Sequence, residues 1–147
     1  MSRAFVKEDD GSRPELPIKR VPGEEPNYVT ESGMQRLREA LARAQAENDA
    51  RNIAYFEERI SSAIREDPQA RGRDVVSFGS TVTVADAQGK ETTIRIVGED
   101  EADPANGALS WTSPYAQALL DHRTGEKVTV RRPAGAVVVV IKDVAAE

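Results

Sequence analysis

Ile94-Arg95-Ile96-Val97-Gly98-Glu99-Asp100-Glu101-Ala102-Asp103-Pro104, followed by Leu109-Ser110-Trp111-Thr112-Ser113-Pro114-Tyr115-Ala116-Gln117-Ala118-Leu119-Leu120, decides the fold. Ile94 and Ile96 alternate with polar residues, which predicts a strand with one buried face. An acidic loop, Glu99–Gly107, closes it, and Ala108–Thr112 reads as another short strand. Ser113 is then a helix cap, with Pro114 at the first helical position where a missing N–H costs nothing. Ala116, Leu119 and Leu120 form the buried face of that short helix.

The period of two extends outward in both directions. Val76, Phe78, Val82 and Val84 read as a strand, with Gly79-Ser80 as a bulge within it. Ala85-Asp86-Ala87-Gln88-Gly89 is a hairpin turn leading into the partner strand Glu91–Val97. Downstream, Glu126–Arg131 and Ala136–Val144 are two more strands around the turn Pro133-Ala134-Gly135. The all-apolar run Val137–Ile141 predicts a central strand covered on both faces. One helix across an antiparallel sheet makes residues 74–147 an α+β domain.

Upstream the period changes to that of a helix. Thr30 is a good N-cap, and Glu31 lies in the first turn where the helix dipole favours a carboxylate. Met34, Leu37, Leu41 and Ala44 recur at spacings of three and four, and Ile53, Phe56, Ile60, Ala63 and Ile64 form a second stripe. Glu47-Asn48-Asp49 is the turn between them, with Asp49 capping the second helix. Residues 27–67 therefore read as an antiparallel helical hairpin, a short coiled coil. Each arm is about 17 residues, or about 26 Å, long. Residues 68–73, after Asp67, form a linker. Residues 1–26, with Pro14, Pro17, Pro22 and Pro26 among charges, read as a flexible tail anchored at Phe5 or Ile18.

Composition narrows the function. The 147-residue chain carries a formal charge of −5, with 31% charged and 39% hydrophobic residues. No segment is basic overall, which argues against a general nucleic-acid binder. The absence of cysteine removes disulfides, thiolate metal sites and a thiol nucleophile. A single histidine, His122 beside Asp121, cannot supply a zinc cluster. No apolar run reaches membrane-spanning length and the first residues do not read as a signal peptide, so a soluble, cytoplasmic protein is expected. There is no internal repeat and no phosphate-binding glycine motif.

Several blocks, in one order, resemble the Gre family of bacterial transcription elongation and transcript-cleavage factors (GreA/GreB-like). Asn27-Tyr28-Val29-Thr30 with Gly33 and Leu37-Arg38-Glu39-Ala40-Leu41 is similar to the opening of that family's first long helix. Phe56-Glu57-Glu58-Arg59-Ile60 resembles its return helix, Phe78-Gly79-Ser80-Thr81-Val82 the first strand of its C-terminal domain, and Pro133-Ala134-Gly135 its last turn. The quoted 94–125 region carries the most specific likeness, and the tail Ser2-Arg3-Ala4-Phe5 is similar to that of some GreB-type members. The resemblance implies an FKBP-like C-terminal fold; isomerase activity does not follow from it.

The resemblance further implies a partner, bacterial RNA polymerase, with the C-terminal domain docked at the rim of the secondary channel and the hairpin entering it. Contact with DNA or RNA would then be indirect, within the transcription complex. The docking loop would be Trp111, Thr112, Ser113 and Pro114, with Trp111 as an aromatic anchor. The alternative for these four is a core tryptophan and a plain helix start; some members also carry an acidic residue where Thr112 stands. The loop Glu99, Asp100, Glu101, Asp103 either faces a basic rim on a partner, holds a hard cation, or lies in solvent.

Cleavage-stimulating members carry Asp-x-x-Glu-Asn-Ala-Glu-Tyr at the hairpin tip, whose carboxylates hold a second Mg²⁺ in the polymerase active site. Here the tip keeps only Glu47-Asn48, followed by Asp49, and Ala44 stands where the upstream Asp would be. Aligning the flanking blocks implies about four helical turns lost, and ten or more residues missing from one arm removes about 15 Å of reach. The expectation is a polymerase-binding regulator, not an enzyme, with no cofactor or metal of its own and no stimulation of cleavage. Short-hairpin Gre-like regulators of nucleoside diphosphate kinase are built similarly. Two alternatives stay open: an active cleavage factor presenting Mg²⁺ through Glu47 and Asp49, and a self-associating protein whose hairpin stripes pair between chains.

Overall fold

The computed structural model describes residues 25–65 and 74–146. The tail with Phe5 and Ile18, and the linker at 68–73, lie outside the described residues. A two-residue strand β1 (Tyr28–Val29) leads into α1 (Glu31–Ala46), and α2 (Ala50–Ser61) returns to a second short strand β2 (Ile64–Arg65). Thr30 caps α1, its hydroxyl accepting from the Gly33 N–H at 2.9 Å. Val29, Met34, Leu37, Ala44, Tyr55 and Phe56 form the core of this part, so both apolar stripes are largely spent within the chain.

The arms are 16 and 12 residues long, about 24 and 18 Å. The second is shorter than its stripe suggests. After Ser61 the chain turns extended, the Ile64 N–H donates to the Asn27 carbonyl at 2.8 Å, and β2 pairs in parallel with β1. Ile64 therefore belongs to a strand and is 43% exposed. The neighbouring strand offers its backbone a ladder partner that outcompetes another helical turn.

β3 (Ser80–Ala85), β4 (Glu91–Val97), β5 (Ala108–Ser110), β6 (Lys127–Arg132) and β7 (Gly135–Ala146) form one sheet in the order β5-β4-β3-β7-β6. α3 (Pro114–Leu119) lies over one face, with Ala116 and Leu119 fully buried against Val82, Ile96, Val130 and Ile141. The architecture is α+β: a helix pair and a sheet with one short helix.

Four local expectations change. β5 runs parallel to β4, because the segment with two 3-10 turns (Glu99–Glu101 and Pro104–Asn106) carries the chain back level with Arg95 before β5 sets out, so the sheet is mixed rather than antiparallel. β3 begins at Ser80, not Val76. Val76 instead exchanges backbone bonds with Asp121 and His122, and Gly79, at φ 89°, makes a turn before the strand. The bulge lies further on, opposite β7 between Thr83 and Val84. β7 is an interior strand, yet among the described residues only one of its faces is covered: Val139 and Ile141 are buried while Val138 is 46% exposed. Among the described residues a single helix lies above the sheet, and no second layer covers the opposite face.

Candidate functional site

The loop between β5 and α3 is held mainly by its own short bonds. The Trp111 N–H donates to the Val97 carbonyl at 2.8 Å, and Gln117 Nε2 donates to the Trp111 carbonyl at 2.7 Å. The Thr112 N–H donates to Ser110 Oγ, and the two hydroxyls lie 2.7 Å apart. Ser113 Oγ caps α3 by accepting from the Ala116 N–H, and Pro114 is exposed at the first helical position.

Trp111 packs against the helical part of the chain. It is half-buried and stands edge-on to Tyr28, with ring centroids 5.0 Å apart, and Tyr28 in turn lies 5.8 Å from Phe78. The indole N–H is buried without an acceptor among the described residues. Trp111 thus joins the sheet domain to β1; Thr112 and Ser113 are partly buried, as it is, and of the four only Pro114 is exposed.

At the hairpin tip, Glu47 ends α1 and is exposed. Asn48 takes the left-handed conformation at φ 55°, which asparagine tolerates better than most residues. Asp49 is occupied: one oxygen accepts from the Asn52 N–H at 3.3 Å and the other from Asn52 Nδ2 at 2.7 Å. A groove of about 420 Å³ runs from this tip along the hairpin to Asp100 and Glu101, past Arg36, Arg43 and Phe56. His122 lies elsewhere, its Nδ1 2.6 Å from a Glu126 carboxylate oxygen.

The acidic loop is the largest departure from expectation. Asp100 and Glu101 are each only 5% exposed, so neither lies in solvent nor faces a partner. Asp100 Oδ2 lies 2.6 Å from Arg59 Nε, and its other oxygen accepts from the Tyr55 hydroxyl. Arg59, 1% exposed, also donates to Asn27 Oδ1 at 2.6 Å and lies 3.8 Å from Glu99. Asn27 returns a bond to the Arg59 carbonyl at 2.7 Å. Glu101 reaches the start of α1, accepting from the Thr30 N–H at 3.0 Å, the Thr30 hydroxyl, and the Gly98 N–H at 3.2 Å.

This cluster ties the helical hairpin to the sheet domain. Charge neutralisation and multiple hydrogen bonds are what let such groups be buried. Two glycines make room: a Cβ on Gly33 would lie 2.2 Å from Glu101 Cδ, and one on Gly98 would lie 2.3 Å from the Tyr28 carbonyl oxygen. Sequence reasoning missed Tyr55 and Arg59 because they flank the apolar stripe of α2. Their spacing of four puts them on one helical face, and Gly33 inside α1 marked a close approach.

A family profile described as transcription elongation factor, GreA/GreB, C-terminal, matches residues 70–146. The chain belongs to the GreA/GreB family. It is similar to GreB of Neisseria meningitidis serogroup A, at 40% identity over 86 residues covering 58% of this chain and 53% of the relative. It is also similar to GreA of Anaeromyxobacter sp. (strain K), at 46% over 84 residues, covering 56% and 51%. This GreA/GreB family chain thus spans about half the length of the curated relatives it matches. Among solved structures, Gfh1 of Thermus thermophilus aligns over 82% of this chain and 99% of its own at 21% identity, TM-score 0.45. A GreA/GreB factor from Nitrosomonas europaea aligns over 81% and 98% at 21% identity, TM-score 0.47. No helix among the described residues is long and apolar enough to cross a membrane.

Proposed function

We propose that this GreA/GreB family transcription factor binds bacterial RNA polymerase at the rim of the secondary channel and modulates transcription without stimulating RNA cleavage. The sheet domain docks through Trp111, Thr112, Ser113 and Pro114, with Trp111 also packed against Tyr28. The hairpin enters the channel and acts by occupying it. The protein is not itself an enzyme.

The observation that carries this reading is the tip. The arm that bears it is about 24 Å long, and both carboxylate oxygens of Asp49 are engaged by Asn52, one by its backbone N–H as the cap of α2 and one by its side-chain amide. Among the described residues, Glu47 is the one tip carboxylate without a bonded partner. Delivering a metal to an RNA phosphodiester needs placement within about 1 Å, which a short arm with one carboxylate does not offer.

Co-purification with core polymerase tests the docking: the wild-type chain is expected to be retained, and Pro114→Ala and Trp111→Ala to weaken retention. RNA cleavage in stalled complexes tests the rest. No stimulation is expected; cleavage lost on Glu47→Ala or Asp49→Ala would establish the metal-delivering alternative instead. A dimer by solution mass, with no polymerase retained, would favour self-association through the hairpin.

A further inference from the structure

The buried cluster between the hairpin and the sheet has a geometry that apolar contact alone would not require. Arg59 is held from three directions, by Asp100, Asn27 and Glu99, and Asp100 is held from a second side by Tyr55. A planar guanidinium bonded along several of its N–H vectors fixes orientation, whereas apolar surfaces tolerate sliding and rotation. Glu101 adds a second fastening at the other arm, on the first turn of α1. Arg59 and Asp100 lie on the return arm and on the loop after β4, so the two fastenings act on both arms at once.

We infer that Arg59 and Asp100, with Tyr55, Asn27 and Glu101, are positioning residues that set the angle of the hairpin to the sheet domain, and that the action of the hairpin depends on this angle. The inference rests on the function proposed above. Leverage gives it force: turning an arm of about 24 Å by about 10° carries its tip about 4 Å. A docked sheet domain with a loosened hairpin therefore keeps its hold on the polymerase while the tip loses its place.

The absence of cysteine permits site-specific spin labelling of the full chain. Labels at Ala46→Cys, at the end of α1, and Gln88→Cys, in the exposed β3–β4 turn, report the angle as a distance distribution. The decisive variant is Arg59→Met/Asp100→Leu, which removes the directional bonds yet leaves an apolar, filled interface; Tyr55→Phe and Glu101→Gln are milder variants that keep the fold should the double one lose it. The wild type is expected to give one narrow distance and the variants broader ones. Affinity for core polymerase should stay within about twofold, because the docking loop is untouched. The effect on transcription should fall by about tenfold or more, as expected when a reacting or blocking group is misplaced.

A distribution as narrow as wild type in the double variant, or a full effect on transcription despite a broad one, would overturn the inference. Equal loss of affinity and effect would also overturn it, making the cluster a plain folding element. A wild-type chain that fails to bind polymerase would remove the proposed function, and the positioning role with it.

Discussion

Arg59 Nε lies 2.6 Å from Asp100 Oδ2, joining the return helix of the hairpin to the loop after β4 across 41 positions of sequence. Both residues are almost wholly inaccessible to water. Removing one partner of such a pair leaves an uncompensated charge in a dry site, while removing both need not.

The single replacements Arg59→Met and Asp100→Leu are therefore expected to cost about 3–5 kcal/mol each. The double replacement should cost far less than their sum. Urea unfolding midpoints of the four chains check this, and simple additivity would sink it.

Gly33→Ala sets two effects against each other. Helix propensity favours alanine by about 1 kcal/mol, but the new Cβ drives into the Glu101 carboxylate and displaces it from Thr30 and Gly98. Overpacking of this kind costs about 1–3 kcal/mol, so the net change should be destabilising. In a Glu101→Ala background the clash is gone and the same change should stabilise. Thermal melts of the pair read this sign reversal directly. Gly98→Ala, which meets backbone rather than a movable side chain, should be worse than Gly33→Ala in either background.

Burial raises the Tyr115 phenol above its ordinary value of 10.0, with Arg132 opposing the shift and Asp86 adding to it. The folded state then holds the proton more tightly than the unfolded chain. Stability from this group is fully present below pH 10 and is lost as pH rises through the folded value. Phenolate absorbance during alkaline titration should show a late-titrating group that Tyr115→Phe removes, and the loss of stability above pH 10 should be shallower in that variant.

Asp49→Asn preserves an acceptor for the Asn52 N–H and should leave the tip intact. Asp49→Ala removes the cap and should cost about 0.5–2 kcal/mol, seen as faster amide exchange at the start of α2. Neither should change the effect on transcription by the route of metal delivery; a tenfold change confined to Mg²⁺-dependent cleavage would contradict the proposed absence of cleavage stimulation.

The sequence made the repetitive parts legible and hid the cooperative ones. Thr30, Asp49 and Ser113 stand as caps where local chemistry places them, and Ile94, Ile96, Ala116 and Leu119 are buried as their periods require. β5 was misread because strand direction depends on the path between strands, which the turns at 99–106 determine. The acidic run was misread for a different reason. Whether a carboxylate is solvated depends on what meets it in space, and Arg59, Tyr55 and Thr30 approach from 41 to 71 positions away. Trp111 shows the same limit, since its neighbour Tyr28 comes from the far end of the described chain.

The pairing of Tyr28 with Ile64 and Val29 with Arg65 brings both roots of the hairpin to one point. Everything between them leaves and returns through a single collar, so the arm is a cassette. Turns can be added to or deleted from its outer end without disturbing the seat, so the length of the arm is free to change separately from the way it is held.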